Sequence, residues 1–210
     1  DYVLNGIKLF VPDASMASHF VCVVRTGNST TCQDNISLML VEATSPGITV
    51  RNLPGFLSHA SEVKFDQVRV PRSALLGDRP NEGWQTLDLA IQKALPILCA
   101  YQVGGCEAVF DMSVDYSRTR QQFGRAIGRF QRVQDHIVNL VNHLDAARWT
   151  TYEALWKLDS GRPARDAVHL AKAVSTEAYY QACNHAHEVH AGVGSMIEYG
   201  LVLHTKMSRT

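Results

Sequence analysis

The sequence predicts an α+β protein in which an antiparallel β domain is followed by an antiparallel, four-helix-type α-helical bundle. Two observations lead to this prediction. Over the first seventy residues, short runs rich in β-branched and aromatic residues alternate with Pro and Gly turn signals. After Gly83, apolar residues recur at helical spacing over long stretches. We therefore predict a barrel-like β domain over residues 1–80 and a helical bundle over residues 81–210.

The first part of the chain is predicted to form strands. Asn5-Gly6 is typical of a two-residue hairpin turn, because both turn positions need positive φ, and it predicts a hairpin of Tyr2–Leu4 and Ile7–Val11. Further strands are predicted at Phe20–Arg25, Ser37–Glu42, Ile48–Asn52 and Ser61–Val70. In the last of these the apolar alternation breaks midway, which indicates a β-bulge or an edge strand.

The second part is predicted to be helical. The predicted helices are Trp84–Tyr116, Gln131–Asp159, a segment from Pro163 to about Ala191–Gly194, and Glu198–Ser208. Pro96 lies inside the first helix, where it removes a backbone hydrogen bond and should kink or interrupt the helix. Ser160-Gly161 is expected to end the second helix, because glycine suits the left-handed conformation that follows a helix.

Composition argues against several classes of partner. Twenty basic residues balance twenty acidic ones, so nothing favours nucleic acid as a partner. Lys93 interrupts the most apolar stretch, Leu87–Val103, so we expect no membrane association. The five cysteines are odd in number and lack metal or redox spacing, which is typical of reduced thiols in the cytoplasm.

The segment R-Q-Q-F-G-R-A-I-G-R-F-Q, Arg120–Gln131, joins the first two predicted helices. Guanidinium groups and the backbone N–H groups of a helix start bind phosphates well. Gly124 and Gly128 would let the backbone approach a ligand closely. A solvated basic loop has a similar composition. From the residues alone, an anion site and a solvated loop both remain open.

The longer run Y-S-R-T-R-Q-Q-F-G-R-A-I-G-R-F-Q-R-V-Q, Tyr116–Gln134, resembles the signature of the flavin-dependent acyl-CoA dehydrogenase family. Three other segments resemble the family in the same order: Leu4–Val11, Val63–Gly77 and His187–Gly194. The resemblance implies a subunit with FAD as cofactor that dehydrogenates an acyl-CoA between its α and β carbons. It also implies electron-transfer flavoprotein or a similar electron acceptor as partner, and assembly into a homo- or hetero-tetramer.

The resemblance also implies which residues contact the flavin, which in this family is shared with a neighbouring subunit. From the Arg-rich segment they are Arg120, Gln122, Phe123 and Gln131. The family often has Thr at the position of Gln122, so this sequence departs from the pattern there.

A second flavin-binding segment is implied near the end of the third predicted helix. The family pattern Q-I-x-G-G-x-G stands here as E-V-H-A-G-V-G, which implies contacts from Glu188 and Gly192. Among the differences from the pattern, Glu188 replaces Gln and Ala191 replaces Gly. A carboxylate at position 188 repels a dinucleotide phosphate unless an arginine or a proton offsets it.

The catalytic base is not assigned. Dehydrogenation needs a carboxylate to take the α-proton, and most members of the family place it after the position of Thr210. Others place a Glu followed by an Arg on the first bundle helix, where this chain has Ala94 and Leu95. These differences leave an alternative open, a non-catalytic partner subunit of a hetero-oligomeric acyl-CoA dehydrogenase. The family also has an N-terminal helical domain and a further helix at the C-terminus, so we expect a fragment truncated at both ends.

Several histidines invite a metal interpretation. His185, His187, His190 and His204 are close in the sequence. The pair His187 and His190 resembles the zinc-protease helix, but its spacing of three rather than four residues directs the two rings differently. We therefore expect no metal site.

Overall fold

The computed structural model describes residues 1–27, 31, 33–55 and 60–209. The chain forms two compact units, Asp1–Ala90 and Ile91–Thr210. The first is built mainly from antiparallel strands and the second from helices, as the sequence predicts. The division lies inside the first long helix, whereas the sequence prediction placed the boundary after residue 80, where the helical pattern begins.

Two three-stranded antiparallel sheets make up the first unit. The strands are β1 (Tyr2–Pro12), β2 (His19–Arg25), β3 (Ile36–Glu42), β4 (Ile48–Asn52), β5 (Ala60–Val70) and β6 (Leu75–Leu76). Their order is β1-β5-β4 in one sheet and β2-β3-β6 in the other. Within the described residues, no hydrogen-bonded pair joins one sheet to the other. The sheets share a core in which Phe20 and Phe65 meet edge to face.

The hairpin predicted at Asn5-Gly6 is wrong. β1 runs through both residues and pairs with β5 on either side of them, with a shift of register next to Asn5. Asn5 Oδ1 accepts hydrogen bonds from the Gln67 backbone N–H at 2.9 Å and from Gln67 Nε2 at 3.1 Å. Gln67 has a φ of 53°. The Asn5 side chain thus pairs with a bulge in β5 instead of turning its own chain, and the bulge accounts for the broken alternation in that strand.

The helices are α1 (Gly83–Thr119), α2 (Gln131–Asp159), α3 (Arg165–His190) and α4 (Leu201–Met207). α1 is continuous through Pro96, so the proline does not interrupt it. α4 is shorter than predicted, because Ile197–Tyr199 forms a 3-10 turn and Gly200 follows it with a φ of 90°. Over the described ranges, no helix has the length and apolar character needed to span a bilayer.

Side chains from α1, α2, α3 and α4 form the main core of the second unit. Its members include Cys106, Val109, Leu140, Leu144, Tyr179, Ala182 and Leu201. Tyr179 is fully buried, and its hydroxyl lies 2.9 Å from His204 Nδ1. Gly105 on α1 approaches the same ring so closely that an added Cβ would lie 2.3 Å from Tyr179 Cζ.

Free cysteines contribute to this core. Cys22, Cys99, Cys106 and Cys183 are described and none of these four is in a disulfide, whereas Cys32 lies outside the described residues. Burial raises the pKa of Cys106 to about 12 and that of Cys183 to about 11. Both thiols are therefore protonated at neutral pH and pack as small apolar groups.

Candidate functional site

A small β-hairpin connects α1 to α2. β7 (Gln121–Gln122) pairs with β8 (Arg125–Ala126), and the turn between them consists of Phe123 and Gly124, with φ values of 54° and 77°. Positive φ at both positions defines the two-residue turn that matches the twist of paired strands. Glycine adopts this conformation readily, whereas phenylalanine is strained in it.

The strained turn presents the Phe123 ring to solvent. This side chain is 91% exposed. It touches Phe130 edge to face, with ring centroids 5.9 Å apart, and the Arg125 guanidinium lies 4.3 Å above the Phe130 ring. Strained backbone and exposed aromatic surface both cost free energy, and their combination is typical of a site that meets a ligand or another chain.

The base of the hairpin has the properties of an anion site. The Ile127 backbone N–H donates to the Arg120 carbonyl at 2.9 Å and closes the hairpin. No acidic partner of the Arg120 side chain is found in the described part of the chain. α2 begins at Gln131 and has no acidic residue in its first turn. Gln122 is exposed, and its Nε2 donates to the Gln121 carbonyl at 2.8 Å. A helix start without carboxylates, together with an exposed arginine that has no acidic partner in the described residues, favours a negatively charged ligand.

The second implied segment lies where α3 ends. Glu188 is exposed in the last turn, and the helix stops at His190. Ala191 follows with φ 49° and ψ −134°, a conformation that glycine adopts readily and alanine does not. A Cβ added at Gly192 would meet no atom within 4 Å. The backbone at Gly192 is therefore open to close approach by a ligand.

Aromatic rings join the two segments. Tyr116, in the last turns of α1, stacks on His190 with centroids 4.6 Å apart and an interplanar angle of 25°; we call this contact the Tyr116–His190 stack. Tyr199 adds a third ring, 5.1 Å from that of His190. The Arg120 N–H donates to the Tyr116 carbonyl at 2.9 Å, and Gly192 follows His190 by two residues. The structure thus brings together the ends of α1 and α3, and with them both predicted segments.

The histidines of this region are buried or partly buried. Burial lowers the pKa of each of these imidazoles: His185, His187, His190 and His204. His136 adds to this effect on His185, since their Nδ1 atoms lie 3.1 Å apart. Within the residues that the structure describes, no group of three or more His, Cys, Asp or Glu side chains could hold a metal ion.

The positions on α1 where part of the family carries Glu and Arg hold groups that cannot transfer a proton. Ala94 is exposed, and Leu95 packs against a small buried cluster that includes Cys99 and Val168. α1 therefore supplies no base at these two positions.

Sequence reasoning missed the Tyr116–His190 stack and the strain at Ala191. A signal for the strain was present, because alanine stands where the family pattern has glycine. The stack gave no signal, since its two residues are far apart in the chain and neither periodicity nor spacing pairs them.

The fold, the hairpin and the end of α3 can be compared with known proteins. Residues 81–210 match the family model for the C-terminal domain of acyl-CoA dehydrogenases. The chain therefore belongs to the acyl-CoA dehydrogenase family. It is 32% identical to a probable acyl-CoA dehydrogenase of Bacillus subtilis, over 96% of this chain and 54% of that protein. It is 31% identical to an L-prolyl-peptidyl-carrier protein dehydrogenase of Serratia, over 97% of this chain and 53% of that protein.

Solved structures have the same fold. The structure of PigA with FAD and proline gives a TM-score of 0.92 at 31% identity, over 97% of this chain and 54% of that one. Butyryl-CoA dehydrogenase from Megasphaera elsdenii gives 0.92 at 24% identity, over 99% of this chain and 55% of that one. FAD is the cofactor of this family, and PigA has been solved in complex with it. The chain spans about half the length of the curated relatives it matches.

Proposed function

We propose that this chain is part of an FAD-dependent acyl-CoA dehydrogenase subunit that introduces a double bond between the α and β carbons of an acyl thioester. One observation carries the proposal. A strained turn holds the Phe123 ring exposed in the hairpin that Arg120 closes, and the Tyr116–His190 stack ties this hairpin to the open backbone at Gly192. An aromatic ring, a guanidinium group and open backbone suit the apolar and phosphate parts of a dinucleotide.

The residues present fit FAD with one exception. We propose contacts from Arg120, Gln122, Phe123, Gln131, Glu188 and Gly192. Arg120 would bind a phosphate through charge-assisted hydrogen bonds, and Phe123 would pack against an apolar face. The Glu188 carboxylate opposes an anionic ligand, but Glu188 and Arg132 both lie within electrostatic reach of His185. A guanidinium group is thus available in the same region to offset the carboxylate.

The reaction divides between the cofactor and the protein. When bound, FAD supplies the two-electron acceptor for a hydride from the β-carbon. The α-proton needs a carboxylate base, and we propose a glutamate outside residues 1–210 of the subunit, because α1 has Ala94 and Leu95. Electron-transfer flavoprotein or a similar protein is the proposed electron acceptor. The two relatives from Bacillus and Serratia are named for acyl-CoA and for a carrier-protein-bound prolyl group, which supports an acyl thioester as the substrate class, with acyl-CoA as the first candidate.

An aromatic stripe on α2 supports assembly with another subunit. Trp149, Tyr152 and Trp156 are at least half exposed and recur at helical spacing on one face of the helix. A patch of large apolar side chains of this kind is typical of an interface. We propose that this face packs against another chain in a homo- or hetero-tetramer.

The substitution Arg120→Ala in the full-length protein tests the proposal. A lost charge-assisted contact to a phosphate should weaken FAD binding by about 1.5 to 3 kcal/mol, measured as flavin dissociation at moderate salt. Arg118→Ala, a change of another exposed arginine in the last turn of α1, should leave flavin retention nearly unchanged. Equal flavin dissociation from the wild type and Arg120→Ala would remove Arg120 from the site.

Expression of the wild-type protein, alone and with a homologous subunit, distinguishes the enzyme from a second candidate function, the non-catalytic partner subunit. Ala94 and Leu95, which leave α1 without the Glu and Arg of some members, favour that candidate, as does the carboxylate of Glu188. One FAD per subunit and turnover of an acyl-CoA by the protein expressed alone would establish the enzyme. A flavin site that fills only on co-expression with a homologous subunit would establish the partner.

A further inference from the structure

Three unusual features coincide at the end of α3. His190 is 1% exposed, and its Nε2 has no hydrogen bond of normal geometry within the described residues. The next residue, Ala191, has a strained φ of 49°. The His190 ring also stacks on Tyr116. Unpaired buried polar atoms and strained backbone both cost free energy, and proteins retain them chiefly where function requires the geometry.

A hydrogen bond to the backbone holds the His190 ring in place. Nδ1 lies 2.8 Å from the Ala186 carbonyl, and because a carbonyl only accepts, Nδ1 carries the proton. Burial lowers the pKa of His190 and outweighs the opposing effect of the Ala186 and Met112 carbonyls. The ring is therefore neutral at pH 7, with a fixed orientation. Held in this orientation, the ring stacks on Tyr116.

The surroundings of the ring show what it holds in place. His190 lies against Met112 and Tyr116, which are one turn apart on α1. The hairpin begins directly beyond this contact, since the Arg120 N–H donates to the Tyr116 carbonyl. On the other side, Gly192 follows His190 by two residues. A single imidazole therefore contacts the last turns of α1 and lies two residues before Gly192.

We propose that His190 is a positioning residue for flavin binding, which by stacking on Tyr116 holds the hairpin and the Ala191–Ser195 turn at the spacing that one dinucleotide bridges. This inference rests on the proposed function and adds to it a residue that is outside the set implied by the family resemblance. Because His190 is almost fully buried, it acts through its neighbours. The strained conformation of Ala191, which ends α3 directly after His190, then allows both the Tyr116–His190 stack and the open backbone at Gly192.

Four variants of the full-length protein test the proposal by FAD titration, followed by flavin fluorescence. His190→Ala should weaken FAD binding by about tenfold, the upper end of what a lost aromatic pair costs. His190→Phe keeps a flat ring and should stay within about threefold of the wild type. Tyr116→Ala should weaken binding as His190→Ala does, and the double variant should be no weaker than either single one. A loss below about threefold in His190→Ala, no rescue by phenylalanine, or losses that multiply in the double variant would each overturn the proposal.

Val168→Ala is the control for lost stability. Val168 is fully buried near the start of α3, at the other end of the helix from His190. It should lower the melting temperature without changing the FAD dissociation constant. An equal loss of FAD affinity in this control would show that His190 acts only through global stability, and would also overturn the proposal.

Hydrogen exchange without FAD separates this inference from the proposed function. In His190→Ala, but not in Val168→Ala, the amides of residues 120–131 and 191–195 should exchange faster than in the wild type. Unchanged exchange would overturn the positioning role even in a protein that binds FAD. A wild type that binds no FAD would instead refute the proposed function, and the exchange result would still decide whether His190 holds the two segments together.

Discussion

The middle of the helical unit and the end of α3 are built from the same helices but treat their polar groups and backbone differently. In the middle, the Tyr179 hydroxyl pairs with His204, and Cys106 Sγ lies 3.7 Å from the Ala178 carbonyl as a weak donor. At the end, His190 Nε2 is buried without a normal hydrogen bond and Ala191 is strained. Natural sequences concentrate such conflicts where function needs them. The difference indicates that the middle supplies stability and the end supplies a binding geometry.

The largest expected effect tests the middle. Leu140→Ala removes a fully buried side chain from the core, and it should lower the free energy of unfolding by about 3 kcal/mol, measured by urea denaturation. Val138→Ala, at a half-exposed position on the same helix, should change it by less than about 0.5 kcal/mol. Folded Leu140→Ala protein should keep wild-type FAD affinity. A large loss of FAD affinity in Leu140→Ala would show that the middle of the helical unit also determines the binding geometry.

The next largest effect is the pH dependence of the free energy of unfolding, to which histidines in the middle of the helical unit and near the end of α3 both contribute. Burial lowers the pKa of His204 in the middle and of His187 and His190 near the end, from an ordinary value of 6.5. Below pH 6.5 the unfolded chain therefore binds more protons than the folded one, so the free energy of unfolding should fall as the pH drops from 6.5 towards the lowered folded values. Urea denaturation at pH 8 and pH 5.5 measures the loss, which should be smaller in His190→Phe. Equal losses in the variant and the wild type would mean that His190 does not contribute.

The smallest expected effect comes from replacing alanine by glycine, once at the end of α3 and once in the middle of the helical unit. Ala191→Gly relieves the strained φ and should raise the free energy of unfolding by about 1 kcal/mol, seen as a rise of a few degrees in melting temperature. Ala147→Gly places the same change at a buried helical position in the middle and should lower stability by about 1 kcal/mol. The same sign for both substitutions would show that Ala191 is not under strain.

Regular structure could be predicted from the sequence where local signals and tertiary packing agree. The bounds of α2 were predicted correctly, because apolar periodicity and the glycine after Ser160 both define the helix. The hairpin at Asn5-Gly6 failed because Asn5 bonds to Gln67, a contact between distant residues that overrides the local turn preference. The two-residue turn that the structure does contain, at Phe123-Gly124, could not be predicted, since phenylalanine contradicts the local preference for positive φ.

The candidate site was accessible to sequence reasoning only in part. The residues proposed to contact FAD came from the family resemblance, and their contacts with the cofactor remain predictions. Without the resemblance, the residues of Arg120–Gln131 indicated either an anion site or a solvated loop. The Tyr116–His190 stack depends on how the ends of α1 and α3 meet, which no local pattern specifies.

The close approach of Gly105 to Tyr179 also limits how this sequence can change. A methyl group at position 105 would lie 2.3 Å from Tyr179 Cζ, so the helices would have to move apart or the ring would have to leave the core. Losing the ring would in turn leave His204 without its hydroxyl partner. Among related chains, positions 105 and 179 should therefore vary as a pair, with glycine opposite a large aromatic residue and a larger residue only opposite a smaller one.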